Sequence, residues 1–366
     1  MTIRKFNFGA GPATMPLEVL KEIKEELLDW NGLGLSVLEI SHRSKEFMEI
    51  AKDAEQDFRD LLSIPESYGV LFLHGGATMQ CPMIPMNFSP LDGTADYVNT
   101  GYWALRAIKE AQRYITVNIA ASSEVDKFSY FPNQDSWQIS KSASYLHITP
   151  NETIGGICLK VISEENVPII ADYSSGILSE EIDITKYGMI YGGAQKNIGP
   201  AGLGFAIVEK EMLNQAQEKT PTMFNYTKML EGESMYNTPP TFAWYMAGKV
   251  FKWLKSKGGL KEIGKVNNIK AKKLYGFIDS SVFYSNDIEE KSRSIMNIPF
   301  FLANEELNDK FLKESADAGL LALKGHRSVG GMRASIYNAM PLEGVNKLID
   351  FMESFEKRNH NLNVKR

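Results

Sequence analysis

Short apolar runs separated by helix-patterned stretches constrain this chain more than any other feature. Residues 70–73, 96–99, 145–148, 167–171 and 204–208 read as strands with no polar face. Helical patterns lie between several of them, such as 102–112. Strands apolar on both sides and joined by helices predict a mainly parallel sheet covered on both faces, an α/β architecture. Such sheets present ligands to the carboxyl ends of their strands. Two helices precede the sheet pattern. Pro16 opens one, with Leu17, Leu20, Ile23, Leu27 and Trp30 on one side, and Asn31-Gly32 stops it. Ser44 caps the other, with Phe47, Ile50, Ala54, Phe58 and Leu61 as its apolar stripe.

The texture changes after Pro239-Pro240. Long helices at 241–257 and 260–278 are followed by a strand at 295–302, a helix at 307–318, a strand at 332–337 and a helix at 345–355. This α+β pattern predicts a smaller C-terminal domain from about residue 258, with a polar tail after Lys357. The 366 residues suit two domains at roughly 150 residues each. Lysine and arginine number 40 against 45 acidic residues, so broad binding to nucleic acid or an anionic membrane is not expected. Two cysteines, Cys81 and Cys158, exclude a disulfide framework and a cysteine-rich metal site. No apolar run approaches the ~20 residues of a membrane helix. The stretch 1–9 has no apolar signal-peptide core, so the cytoplasm is the expected location.

The segment Ile190-Tyr-Gly-Gly-Ala-Gln-Lys-Asn-Ile-Gly-Pro-Ala-Gly-Leu-Gly204 places a single lysine, Lys196, among small and apolar residues. An amine there loses solvation and with it some of its proton affinity, and a neutral amine bonds covalently to aldehydes. On spacing alone, a surface lysine in a glycine-rich turn is the simpler reading. Val167-Pro-Ile-Ile-Ala-Asp-Tyr-Ser-Ser-Gly176 delivers Asp172 at the end of an apolar strand, where a turn or cap aspartate is common. A lysine with an acid partner is the pair that pyridoxal phosphate enzymes require. Val70-Leu-Phe-Leu-His-Gly-Gly-Ala-Thr-Met-Gln80 runs a strand into a helix start whose free N–H groups suit phosphate. It matches neither the dinucleotide fingerprint nor the P-loop. His-Arg occurs at His42-Arg43 and at His326-Arg327, in a chain with five histidines. Planar arginine forks beside titratable donors suggest an anion clamp.

In order along the chain, Ser41-His-Arg-Ser-Lys-Glu-Phe47, His74-Gly-Gly-Ala-Thr-Met-Gln80, Thr100-Gly-Tyr-Trp103, Pro150-Asn-Glu-Thr153, Gly192-Gly-Ala-Gln-Lys-Asn-Ile-Gly-Pro-Ala-Gly202, Asn237-Thr-Pro-Pro-Thr-Phe-Ala-Trp244 and Gly325-His-Arg-Ser-Val-Gly-Gly-Met-Arg-Ala-Ser335 resemble the phosphoserine aminotransferase family. These are class-V, fold-type I pyridoxal phosphate enzymes, and the likeness spans nearly the whole chain. It implies a large domain at 16–257 built on a mainly parallel seven-stranded sheet. Residues 1–15 and 258–366 would form the small domain. It implies Lys196 as the residue bonded to the cofactor, Asp172 as the partner of the ring nitrogen, and Trp103 stacked on the ring. Gly76, Ala77, Thr78 and Gln195 would hold the cofactor phosphate, with Thr153 near the ring hydroxyl and Ser174 beside Asp172. Asn237 and Thr238 would reach the phosphate from a second subunit, so a homodimer is implied. His42, Arg43, His326 and Arg327 would bind the distal anion of the substrate, and Arg333 its α-carboxylate. The implied substrates are L-glutamate and 3-phosphohydroxypyruvate, in serine biosynthesis. Some family members also accept the phosphorylated keto acid of pyridoxine biosynthesis. One departure stands out: Gly-Gly-Ala-Thr replaces the Gly-Gly-Gly-Arg of some members at the phosphate loop. An aminotransferase for glyoxylate or pyruvate would leave the two His-Arg pairs idle. A cofactor-binding protein without activity would not need Lys196, Asp172 and Arg333 together.

Overall fold

The computed structural model describes residues 4–163 and 165–359. Strands β1 (Phe6–Asn7), β2 (Tyr68–His74), β3 (Thr94–Asn99), β4 (Thr116–Ser122), β5 (Ala143–Ile148), β6 (Ile169–Asp172), β7 (Met189–Gly193), β8 (Leu203–Glu209), β9 (Tyr284–Ser285), β10 (Asn297–Leu302), β11 (Leu320–Leu321) and β12 (Met332–Ser335) follow in chain order. The helices are α1 (Leu17–Glu26), α2 (Lys45–Leu62), α3 (Gly76–Phe88), α4 (Tyr102–Ala111), α5 (Tyr226–Glu231), α6 (Thr241–Ser256), α7 (Gly259–Ser280), α8 (Asn308–Asp317) and α9 (Leu342–Asn359).

Seven strands form the main sheet in the order β2-β8-β7-β6-β5-β3-β4. Its pairs are parallel except those of β8, which runs antiparallel to both β2 and β7. The α/β class and mainly parallel sheet read from the sequence are therefore present. β2, β6, β7 and β8 are almost wholly buried, which is why β2, β6 and β8 stand out as apolar runs in the sequence. One face of the sheet packs on α2 and α6, where Phe58 stacks on Phe251 at 4.9 Å. The other packs on α3 and α4, through Met83, Ile84, Ala107 and Ile108. Ser44 caps α2 by accepting from the Phe47 N–H, as its sequence position predicts.

The first helix ends sooner than its apolar stripe predicts. α1 stops at Glu26, and its buried face is Val19 and Ile23, while Leu17 and Leu20 are exposed. Leu27 lies beyond the helix and Trp30 begins a separate 3-10 turn. Strands β4 and β7 are also not anticipated. β4 is an edge strand, solvated along most of its length, so its sequence carries no apolar run.

A separate core gathers α7, α8 and α9 around the three-stranded sheet β12-β10-β9, and Phe8 from the start of the chain belongs to it. β1 pairs in parallel with β11, far along the chain. We propose on this packing that the described residues 4–15 and 258–359 act as one unit against 16–257; the rest of the expected small domain, 1–3 and 360–366, lies outside the described residues. Buried Lys270 on α7 donates to the carbonyls of Ile336, Tyr337 and Met340 at 2.9–3.0 Å. Those bonds use all the donors of an ammonium, and each is worth about 1.5–3 kcal/mol. They hold the turn that follows β12. Asn338 in that turn bonds to Asn197 and Asn267, tying the small unit to the glycine-rich turn of the large one. The predicted polar tail lies largely in 360–366, outside the described residues; helix α9 continues to Asn359, which is buried. Among the described residues no helix is long and apolar enough to cross a membrane.

Candidate active site

The carboxyl ends of β2, β6 and β7 open on a cavity of about 350 Å³. It is lined by Gly76, Ala77, Thr78, Trp103, Asp172, Ser174, Gln195 and Lys196, residues drawn from four separate segments of the chain. A larger cavity of about 520 Å³ lies beside Tyr102 and Phe128; its lining is mainly apolar and its charged residues are exposed, so the chemistry belongs to the smaller one.

Lys196 sits on the turn between β7 and β8, which closes on itself through Gly199 N–H to Ala194 O and Ala194 N–H to Leu203 O. The residue is 8% exposed, and its Nζ donates to Thr153 Oγ1 at 2.7 Å. Burial pulls the amine down to about 8, against Asp172 and Glu152, which favour the charged form; Arg333 adds to the downward pull. About a tenth of it is therefore a free base at neutral pH, against a negligible share for an ordinary lysine. Asp172 ends β6. Its Oδ1 accepts from the N–H and hydroxyl of Ser174 at 2.9 and 2.6 Å. Ser174 Oγ in turn accepts from Gly193 N–H, which fixes the carboxylate against β7. Both bonds fall on Oδ1, and among the described residues Oδ2 has no recorded partner.

Helix α3 begins at the opposite wall. Its N-cap is Gly75 in the left-handed region, and no side chain caps its first N–H groups. These orphan donors and the helix dipole suit an anion. The start of β8 lies directly behind: a Cβ on Gly204 would come within 3.0 Å of Gly76 O, so the two backbones meet only because side chains are absent. Trp103, at the start of α4, lies with its ring centroid 5.8 Å from Lys196 Nζ. Arg333 on β12 reaches over from the small unit, its Nη1 donating to Thr153 O at 3.4 Å. His326 packs on Tyr102 at 5.1 Å, and its Nδ1 pairs with Ser328 Oγ at 2.7 Å. Burial, with Arg333 and Arg327 nearby, holds its pKa below the usual histidine value.

Pyridoxal phosphate, which the sequence resemblance implies, fits these residues. An anion-binding helix start, a lone carboxylate, a hydroxyl beside a free amine and an indole face surround one space. The indole Nε1 of Trp103 and Nε of Arg333 are buried donors without a protein partner, as expected where a polar ligand completes the site.

Eight expected site residues are not on the wall of this cavity: Thr153 bonds to Lys196 and Arg333 to Thr153, His326 and Arg327 lie between β11 and β12, and His42, Arg43, Asn237 and Thr238 come from elsewhere in the chain. His42 and Arg43 lie just before α2, and His42 Nε2 is buried without a partner. Asn237 and Thr238 have exposed side chains, although Thr238 O lies 3.1 Å from His74 Nε2 at the end of β2. Sequence reasoning missed Cys81, Arg106, Ala201 and Gly202 on the cavity wall. Arg106 lies one turn after Trp103, with its guanidinium 5.7 Å from the indole centroid, so helical spacing from the tryptophan is the signal that finds it.

Residues 5–348 match the aminotransferase class-V family. Phosphoserine aminotransferase of Hahella chejuensis is 53% identical over 360 residues, covering 98% of this chain and all of that protein. The solved phosphoserine aminotransferase of Bacillus circulans subsp. alkalophilus superposes with a TM-score of 0.96 at 44% identity, over 97% of this chain and 99% of that one. That of Trichomonas vaginalis, with pyridoxal phosphate bound, gives 0.92 at 40% identity, over 96% of this chain and 100% of that one.

Proposed function

This chain belongs to the class-V aminotransferase family, and from that premise we propose that it is a phosphoserine aminotransferase, moving an amino group between L-glutamate and 3-phosphohydroxypyruvate. The products are O-phospho-L-serine and 2-oxoglutarate, a step of serine biosynthesis. The observation that carries the site assignment is the Lys196 amine, sequestered beside Thr153 and Asp172 and partly deprotonated. Bound pyridoxal phosphate supplies an aldehyde that accepts the amino group and a protonated ring that withdraws electrons from the substrate's Cα.

The chain's own residues do the rest. Lys196 would anchor the cofactor and, once displaced by the incoming amine, would take the proton from glutamate's Cα in the first half-reaction and deliver one to the Cα of the phosphorylated product in the second. Asp172, held by Ser174, keeps the ring nitrogen protonated by charge pairing. The free N–H groups of Gly76, Ala77 and Thr78 bind the phosphate, with Gln195 at its side. Trp103 covers the ring. Arg333 takes the α-carboxylate in its planar fork. Both substrates use the one pocket in turn, so the kinetics are ping-pong.

His326 and Arg327, with a partner subunit's His42 and Arg43, form the distal anion clamp. The partner's Asn237 and Thr238 complete the phosphate site. Supporting the dimer, Asn237 and Thr238 have exposed side chains off their own chain's cavity, and exposed Leu17, Leu20, Leu28, Leu33, Leu35 and Leu38 precede the His42-Arg43 segment in sequence. Mixing inactive Lys196→Ala with Arg43→Ala protein under subunit exchange, assayed with phosphorylated keto acid far below the raised KM of the Arg43 variant, is expected to restore about a quarter of wild-type activity at equal amounts, because half the dimers are mixed and each holds one intact site. No recovery despite proven exchange would refute the shared site. We place the enzyme in the cytoplasm, in keeping with its unpaired Cys81 and Cys158.

Glutamate presents a distal carboxylate and phosphohydroxypyruvate a distal phosphate. The extra unit charge at 4 Å is worth roughly 4 kcal/mol at an effective dielectric of 20, before desolvation. Arg43→Ala and Arg327→Ala should therefore raise KM for the phosphorylated keto acid by about 10²-fold, and far less for a keto acid with no distal charge. Equal rises for both keto acids would sink the clamp.

A further inference from the structure

Glu152 is the buried charge for which the assigned roles leave no use. It lies in Pro150-Asn-Glu-Thr153, beside the threonine that receives the Lys196 amine, and its side chain is fully buried. Its Oε1 accepts from Ala104 N–H at 2.9 Å and its Oε2 from Trp103 N–H at 3.3 Å. These belong to the first turn of α4, whose own N-cap residue, Gly101, offers no side chain. A carboxylate from a distant loop thus serves as the cap, at the end of the helix where negative charge is favoured. The fit is close. Gly101 has φ +151°, and a Cβ there would stand 2.8 Å from Glu152 Cδ. The loop carrying the carboxylate is braced by Glu152 N–H to Ile157 O and Gly156 N–H to Glu152 O.

Three parts of the site therefore meet at two adjacent residues. Glu152 holds the backbone of Trp103, Thr153 Oγ1 accepts from Lys196, and Thr153 O accepts from Arg333. The charged groups that face the Glu152 carboxylate are Asp172 from β6 and Lys196 from the turn after β7; α4 offers it N–H groups. We propose that Glu152 is a positioning residue for the transamination: it sets where the Trp103 ring lies over the cofactor, and its negative charge helps Lys196 keep its proton. This rests on the roles proposed above for Trp103 and Lys196. Burial raises the Glu152 carboxyl to about 7, with the two N–H groups and Lys196 pulling it back and Asp172 adding to the rise, so its charge is present above neutrality.

The test compares wild type with Glu152→Gln and Glu152→Asp, each loaded with pyridoxal phosphate. Glu152→Gln removes the charge and turns an amide donor toward one of the two N–H groups. Three shifts are expected. The pH midpoint of the cofactor's visible absorbance falls by about one unit, because a negative neighbour of the lysine is gone. The visible circular dichroism of the bound cofactor changes, since the indole moves. The cofactor dissociation constant rises about tenfold, while the melting temperature of the cofactor-free protein drops only as far as loss of one cap predicts. Glu152→Asp keeps the charge but withdraws it by one methylene; it should retain the wild-type pH midpoint and lose the wild-type dichroism. If Glu152→Gln gives no folded protein, Glu152→Asp carries the test alone, and unchanged dichroism in it overturns the inference. A wild-type pH midpoint and dichroism in folded Glu152→Gln overturn it as well. Absence of a visible band in the wild-type holoprotein would instead overturn the cofactor reading itself.

Discussion

Lys196→Ala is expected to lose at least about 10³-fold in turnover while keeping its fold, because one side chain supplies both the covalent anchor and the base. No other amine stands by to replace it: among the described residues lining the cavity, Lys196 is the sole lysine. The same variant should bind the cofactor without its visible absorbance, and borohydride treatment of wild type followed by peptide mapping should place the label on residue 196. Turnover above about 1% of wild type, or a label on another lysine, ends the assignment. The pH profile follows from the same amine. Its proton affinity is held near 8, so the free-base fraction, and with it the Cα proton-transfer rate, climbs as pH rises through that value and levels off above it. Half-buried Asp172 and buried Glu152 keep the midpoint from falling further.

Asp172→Asn should cost about 10³-fold in kcat with a smaller change in KM. Asp172 would pair with the ring cation of the bound cofactor; an opposite charge at a separation of about 4 Å would be worth roughly 4 kcal/mol at an effective dielectric of 20, and asparagine of the same shape would lose it. Asparagine can still accept the Ser174 N–H through its carbonyl, so the local structure of β6 survives and the loss reports charge. Stopped-flow measurement of the glutamate half-reaction isolates the step. A fall of less than about tenfold would show that the ring nitrogen takes its proton from elsewhere.

The site was legible in the sequence through the order of its motifs rather than through any residue's own neighbours. Local context alone reads Lys196 as a surface lysine in a glycine-rich turn and Asp172 as a turn aspartate; the order of the motifs singles both out, and the structure brings both to one cavity wall. Glu152 was quoted as part of a motif but given no role, since its partners are amides 48 and 49 positions away and nothing near it in sequence announces them. β7 is not among the strands the apolar runs mark, since two of its five residues are glycines, yet it is fully buried at the middle of the sheet. There the need to pair buried backbone groups outweighs poor strand propensity. The stripe running to Trp30 misled in the other direction: leucines at helical spacing look like a core face, but α1 exposes Leu17 and Leu20. Apolar periodicity reports a face of a helix, not what covers it.

The lone reversed strand has a consequence for how the molecule is made. β8 is wedged between β2 and β7, and it brings the turn that carries Lys196 back against the helix start at Gly76. A chain emerging from the ribosome can lay down β3 to β6 by short crossovers, but β2 has no neighbour in that sheet until β8 has been synthesised. The loop so closed spans well over a hundred residues, and contacts of that separation form slowly. Vitamin capture therefore awaits the latest and most distant closure of the sheet, and a nascent chain must wait for it with its central apolar edge uncovered.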